Sequence, residues 1–240
     1  MQIEFNVLYV LPYWQLYLLS VLYFAVLYFG LGYVFNSVCK WLFIRGWLNK
    51  IEDVVPAKTQ IRYEIKNSIV SILIFGLSTL PLIYFIRNDY VNIAIDTFGS
   101  VLSGVLILTI WNEIHFFIVH RIMHLTFFMK KVHYIHHASK HPTVYSVYSF
   151  HWFEALLLST VPLAVLWLGN IAALSFALFP IVSLLLNFSG HCNYRFGHQK
   201  NSDWGNFATR HNQHHTKGKR NFGFATFILD KIYKKIVKHD

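Results

Sequence analysis

The chain has 240 residues, of which 55% are hydrophobic and 13% are charged, and its formal net charge is +10. So few charged side chains cannot cover the surface of a soluble protein of this size, which excludes an ordinary soluble domain. The positive charge does not indicate nucleic-acid binding either, because no soluble basic domain is present to carry such a site.

Long apolar blocks follow one another along the chain, and each is long enough to cross a bilayer, which takes about 20 apolar residues in a helix. The first contains Pro12 near its start, and the last contains Gly169 and Asn170 at its middle, where we expect the turn of a hairpin of two shorter helices. The four blocks are residues 7–35, 68–86, 98–119 and 155–190. They predict an all-α integral membrane bundle of four or five transmembrane helices.

Basic residues predict how this bundle is oriented in the membrane. Six of the 21 Lys and Arg lie from Lys40 to Lys66 and fourteen lie from Arg121 onward, whereas Arg87 stands alone between the second and third blocks. Basic loops stay on the cytoplasmic side of a membrane, where anionic headgroups also attract them. The expected topology has the N-terminus and residues 87–97 outside, and residues 36–67, 120–153 and 191–240 inside.

Histidines form three boxes, and the topology above places every one of them on the cytoplasmic face. Residues 133–137 and 211–215 repeat the pattern His-x-x-His-His, and residues 120–124 have the pattern His-x-x-x-His. Histidines three or four residues apart share a helix face, so each box is expected to direct its imidazoles into one pocket. With His191 the predicted metal ligands number nine, namely His120, His124, His133, His136, His137, His191, His211, His214 and His215.

Nine imidazoles exceed one coordination sphere, so the sequence predicts two metal ions in a cytosolic helical cap made of residues 120–153 and 191–240. Imidazole ligands suit Zn, Cu, Fe or Ni. The alternative is that the histidines are surface residues that meet lipid headgroups. We divide the chain into residues 1–98, which carry the first spans and a cytosolic loop, and residues 99–240, which carry the later spans and the histidine-box cap.

Three further residues are candidates for catalytic roles beside the metal ligands. Glu113 is costly in an apolar block unless it is paired, so we expect it to orient a ligating imidazole. His151 either supports a ligand in this way or makes a buried structural hydrogen bond. Arg195 contacts either the ligands or lipid headgroups. His198 is expected to be a loop residue, with a tenth metal ligand as the alternative.

Several of these motifs, in this order, resemble the fatty acid hydroxylase superfamily, also called the sterol desaturase family. The similarity covers residues 99–233 and includes Asn112, Glu113 and the three boxes, whereas residues 1–98 match only as membrane spans. Residues 150–154 are similar to the family's His-Pro-x-Glu element, with Trp152 in place of the proline. Residues 191–195 resemble the His-x-Asn-x-Arg stretch of its bacterial sterol desaturase-like and alkylglycerol monooxygenase-like branch. Residues 221–223 and 229–233 resemble the family's tail, with Leu229 where Trp is usual.

This resemblance implies a membrane-bound di-iron oxygenase that hydroxylates or desaturates a lipid, such as a fatty acyl chain, a sterol or an ether lipid. Its cofactors would be two iron ions, which zinc can replace in purified protein, and O2 would be the co-substrate. No flavin, haem or iron–sulfur pattern is visible, so the two electrons would come from a separate ferredoxin or cytochrome b5-like donor.

Three alternatives to a lipid oxygenase remain. A carotenoid hydroxylase would use the same metal chemistry. A catalytically silent metal-binding membrane protein or a transporter-like scaffold would keep the boxes without turnover. A dizinc hydrolase would require a Glu inside a box, as in His-Glu-x-x-His, and none is present.

Overall fold

Helices make up most of the computed structural model, which describes residues 6–196, 207–218 and 220–237. The α-helices are α1 Asn6–Val10, α2 Tyr13–Val26, α3 Gly32–Ile44, α4 Lys58–Arg87, α5 Phe98–Met123, α6 Thr126–Phe128, α7 Tyr134–His137, α8 Trp152–Leu158, α9 Val161–Leu166, α10 Ala173–His191, α11 Phe207–Lys217 and α12 Ile228–Val237. The π-helical turns are Leu27–Leu31 and Met129–His133, and Val144–Tyr148 is a 3-10 helix. Four two-residue strands are β1 Asn49–Lys50, β2 Ile93–Ala94, β3 Ile171–Ala172 and β4 Tyr194–Arg195.

Four helices within the described residues are long and apolar enough to cross a membrane, and this confirms the predicted helical bundle. They are Tyr13–Ile44, Lys58–Arg87, Phe98–Met123 and Ala173–His191. The first joins α2, the π turn and α3 into 32 residues, so it runs beyond the predicted end at residue 35. Apolar composition marks the part of a helix that lies in lipid, but backbone hydrogen bonds continue the helix through polar residues such as Asn36 and Lys40.

The predicted hairpin turns where expected, but its first arm is broken. Gly169 (φ 68°) and Asn170 (φ 53°) adopt the left-handed backbone conformation of a tight turn. Before this turn α8 and α9 are separated at residues 159–160, with Pro162 in the first turn of α9. Together these two helices are too short to be a full span, so α10 is the fourth one.

Loop contacts show which connections share an end of the bundle. At one end β2 pairs in parallel with β3, and the Asn170 N–H donates to the Asn92 carbonyl at 3.0 Å. At the opposite end β1 pairs antiparallel with β4, and the Asn193 amide bonds the Glu52 backbone in both directions at 2.9 and 3.0 Å. The loops therefore alternate between the two ends in the order that the basic residues predict.

Small residues allow two pairs of these helices to cross closely, as is common in membrane proteins. A Cβ atom added at Gly76 of α4 would lie 3.2 Å from the Val21 backbone nitrogen of α2. A Cβ atom at Gly104 of α5 would lie 2.7 Å from the Cβ of Ser175, which is on α10. The second of these crossings holds α5 and α10, whose last turns carry histidines, side by side.

Candidate metal centre

Four segments bring the nine predicted ligands together at the end of the bundle where β1 pairs with β4. Helix α5 supplies His120 and ends at His124, and α10 ends with His191. The second box begins in the π turn Met129–His133 and continues through α7. Helix α11 supplies the third box, namely His211, His214 and His215.

The nine imidazoles form two adjacent groups, and the potential ligand atoms of each group all lie within 4.8 Å of one another. We name them group A and group B. Group A consists of His120, His124, His133, His137 and His214. Group B consists of His136, His191, His211 and His215.

Each His-x-x-His-His box divides its histidines between the two groups. This division was not predicted from the sequence. His136 and His137 are neighbours in sequence, yet they lie in groups B and A, and His214 and His215 divide in the opposite order. Successive residues of an α-helix point about 100° apart, so a His-His pair faces two different centres. The expectation that one box fills one pocket is therefore wrong.

Backbone carbonyls fix the ring orientation of three of these histidines. Nδ1 of His120 lies 3.0 Å from the Phe222 carbonyl oxygen. Nδ1 of His214 lies 2.7 Å from the Arg220 carbonyl oxygen, and Nδ1 of His191 lies 2.9 Å from that of Asn187. A carbonyl oxygen only accepts, so each Nδ1 carries the proton and each Nε2 keeps its lone pair. This arrangement is typical of metal-ligating histidines.

Glu154 fixes a fourth imidazole and was not predicted as a site residue. Its carboxylate lies 2.8 Å from Nδ1 of His133, and both side chains are buried. The His133 Nε2 lone pair is therefore also directed into group A. The signal was present in the sequence, because Glu154 ends the element that resembles His-Pro-x-Glu.

The Nε2 atoms converge within each group, as the ligand atoms of a metal ion do. The Nε2 of His124 lies 3.1 Å from that of His214 and 3.2 Å from that of His137. In group B the Nε2 of His211 lies 3.0 Å from that of His191 and 3.1 Å from that of His215.

Two nitrogens of group A have no partner at all among the described residues. The Nε2 atoms of His120 and His133 are buried and make no hydrogen bond within that part of the chain. Because their Nδ1 atoms hold the protons, these Nε2 atoms can only accept. Facing lone pairs cannot hydrogen-bond to one another, whereas a metal ion satisfies several at once. The five imidazoles of group A suit one transition-metal ion, and the four imidazoles of group B suit a second.

Burial keeps these imidazoles in the neutral form that binds metals. Loss of hydration, together with the neighbouring imidazoles, lowers the pKa of His124 and of His137 to about 3. The pKa values of His136 and His215 are also well below the usual value, again mainly because of burial. At neutral pH these histidines therefore hold no proton that a metal ion would have to displace.

Glu113 does not orient an imidazole as predicted. Its carboxylate accepts backbone N–H groups of Phe224, Ala225 and Thr226 at 3.1, 2.8 and 3.3 Å, and the Thr226 hydroxyl at 3.2 Å. Asp230 accepts the N–H groups of Phe222 and Gly223 in the same segment. Glu113 therefore holds the segment whose Phe222 carbonyl bonds His120.

His151 lies outside both groups and caps a helix. Its Nδ1 accepts the Phe153 N–H at 3.2 Å at the start of α8, three residues before Glu154.

Arg195 lies in β4, and its buried Nε has no hydrogen-bond partner in the described part of the chain. Its predicted contact with ligands or headgroups stays a prediction, and His198 lies outside the described residues.

An all-helical membrane bundle with two converging histidine groups defines a membrane protein with a candidate dimetal site. The fatty acid hydroxylase family model matches residues 105–235, which is more than half of the chain, and the protein belongs to that family. All nine histidines and Glu154 lie in the matched region. No solved structure matches the chain. Family and histidine groups together support a membrane lipid hydroxylase or desaturase with a metal site.

Proposed function

We propose that this protein is a membrane-bound di-iron oxygenase that inserts oxygen into a lipid, or desaturates it, with O2 and two external electrons. The finer assignment to the bacterial sterol desaturase-like and alkylglycerol monooxygenase-like branch is part of this proposal. The observation that carries it is an apolar cavity that begins beside both histidine groups and extends into the membrane-spanning part of the bundle.

All four spans contribute aromatic side chains to this cavity, which has a volume of about 120 Å³. Its lining includes Phe24, Phe75, Phe116 and Phe179, one from each span. Such a lining favours a hydrocarbon ligand that enters from the bilayer over a water-soluble one.

Three lining residues connect this cavity directly to the histidines. The Phe116 ring lies 4.9 Å from the His120 ring of group A, measured between centroids. The Phe150 ring lies 4.9 Å from the His136 ring of group B. The Asn187 carbonyl accepts from Nδ1 of His191, which also belongs to group B. A chain bound in the cavity would thus end against both groups.

The roles of the protein residues follow from these contacts. Bound iron would supply the activation of O2 that removal of hydrogen from an unactivated C–H bond requires. Glu154 and the carbonyls of Arg220, Phe222 and Asn187 hold the imidazoles with their lone pairs inward. Apolar lining residues align the chain and exclude water from the reacting carbon.

The electron donor in this proposal is an acidic ferredoxin or cytochrome b5-like protein. Lys130, Lys131, Lys140 and Arg220 are exposed at the histidine end of the bundle. A basic face steers an acidic donor, and its association rate should fall as salt rises. The positive-inside topology would place this face in the cytoplasm. Donor-dependent turnover that is insensitive to salt would instead assign these lysines to lipid headgroups.

Lipid analysis tests the proposed activity. Membranes that express the wild-type chain should contain an oxidised or desaturated lipid that is absent when His214→Ala is expressed. His141→Ala is a matched control, because His141 pairs with Glu52 at 2.5 Å and belongs to neither group. A carotenoid product would select the alternative hydroxylase. Identical lipid profiles in all strains, with metals bound, would leave a non-catalytic metal protein.

A further inference from the structure

One polar side chain in the cavity has an unused hydrogen-bond donor. Asn112 on α5 is only 9% exposed and lines the cavity. Its Nδ2 is buried and has no hydrogen-bond partner among the described residues. An unsatisfied buried amide destabilises a protein, so such a group in a ligand cavity indicates a partner that arrives with the ligand.

Three other polar side chains that line the same cavity, namely Ser78, Ser159 and Asn187, are already bonded within the protein. The hydroxyls of Ser78 and Ser159 lie 2.7 Å apart, and each also bonds a carbonyl of its own helix. Asn187 donates from Nδ2 to the Val147 carbonyl at 3.3 Å. Asn112 thus differs from these three residues in keeping a free donor.

Helix geometry sets the distance between this donor and the metal centre. Asn112, Phe116 and His120 are spaced four residues apart, so they lie on one face of α5. Eight residues at about 1.5 Å each place Asn112 about 12 Å from His120 along the helix axis. The donor therefore lies deep in the cavity, on the far side of the Phe116 ring from group A.

We propose that Asn112 donates a hydrogen bond from Nδ2 to an oxygen atom of the bound lipid, about two helical turns from the carbon that is oxidised. The ligand class is a long apolar lipid with a hydroxyl, ether or carbonyl oxygen, and a plain hydrocarbon is selected against. This inference deepens the proposed function and rests on it for the identity of the cavity as the substrate site.

Paired probes that differ in one oxygen test the inference by binding alone. Radiolabelled hexadecanol and hexadecane are equilibrated with the metal-loaded protein in phosphatidylcholine nanodiscs, with empty nanodiscs as the blank. Wild-type protein should retain the alcohol in preference to the alkane by roughly three- to tenfold, the range of one net hydrogen bond. In Asn112→Leu this preference should disappear, because the side chain keeps its size and loses the amide.

Thr109→Val is the matched control, since Thr109 lies on α5, does not line the cavity and donates to the Val105 carbonyl. It should keep the wild-type preference. Asn112→Met provides a second donor-free variant if the leucine variant does not fold. A preference that survives in either donor-free variant, or that is absent in the wild type, would overturn the inference. Failure to produce an oxidised lipid while the preference holds would instead contradict only the proposed activity.

Discussion

Replacement of Glu154 by glutamine should weaken metal binding in group A by about 10- to 100-fold, the usual effect of losing a carboxylate partner of a ligating histidine. The variant keeps the size of the side chain and an oxygen that accepts from Nδ1 of His133, so only the charge is lost. Hydrogen bonds to charged groups contribute about 1.5–3 kcal/mol, and neutral ones about 0.5–1.5 kcal/mol. The difference of about 1–1.5 kcal/mol corresponds to the lower end of that range.

Burial makes this estimate applicable to Glu154, because both its side chain and that of His133 are only 1–4% exposed. Water cannot replace the lost charge at such a site. The folded bundle should tolerate the variant, since a neutral amide is easier to bury than a carboxylate.

A chelator titration measures the effect. Metal-loaded wild type and Glu154→Gln are dialysed against increasing chelator, and the metal that remains bound per chain is determined. Glu52→Gln provides a control of the same chemistry, because Glu52 pairs with His141, and these two side chains are 27% and 37% exposed. Equal metal retention in Glu154→Gln and wild type, or an equal loss in Glu52→Gln, would refute the assigned role of Glu154.

Further predictions concern stoichiometry, the C-terminal segment and topology. Freshly prepared protein should contain about two metal ions per chain by elemental analysis, and His191→Ala should lose the ion of group B; a single ion in wild type would contradict this. Glu113→Gln should lower metal retention in group A, because its carboxylate holds the segment that bonds His120; unchanged retention would leave Glu113 a purely structural residue. Cysteines introduced at Val55 and Lys140 should react with impermeant reagents only from the cytoplasmic side, and one at Asn92 only from outside. Labelling of Val55 and Lys140 from opposite sides would contradict the positive-inside argument.

The bundle could be predicted from sequence because its physical causes are local. An apolar block of about 20 residues must form a helix in lipid, since every backbone group has to be bonded within the segment. The turn at Gly169 and Asn170 was visible for the same reason, because these residues tolerate a positive φ. The break between α8 and α9 was not predicted, although Pro162 in the first turn of α9 is a local signal for a helix start.

The candidate site could be predicted only as far as helix periodicity reaches. Spacings of three and four residues identified eight of the nine histidines that the structure brings together, and His191 was added because it ends the last apolar block. Their division into two groups depends on how α5, α7, α10 and α11 face one another, which is a property of the tertiary structure. The imidazole-orienting role was predicted for Glu113, which is close to His120 in sequence, and not for Glu154. Glu154 is 21 residues from the imidazole that it orients, so only the tertiary structure brings the two together.

The segment between α11 and α12 orients imidazoles that come from two different helices. Its Arg220 and Phe222 carbonyls orient His214 and His120, which come from α11 and α5. Glu113 and Asp230 both accept backbone N–H groups of the same segment, and a Cβ atom at Gly223 would collide with the Thr226 carbonyl. Because the histidine lone pairs face inward only while these carbonyls are in place, the ligand geometry of group A depends on residues more than 100 positions apart in the chain. The tail motif therefore supports the metal centre through backbone atoms, which explains why it contains no metal-ligating side chain.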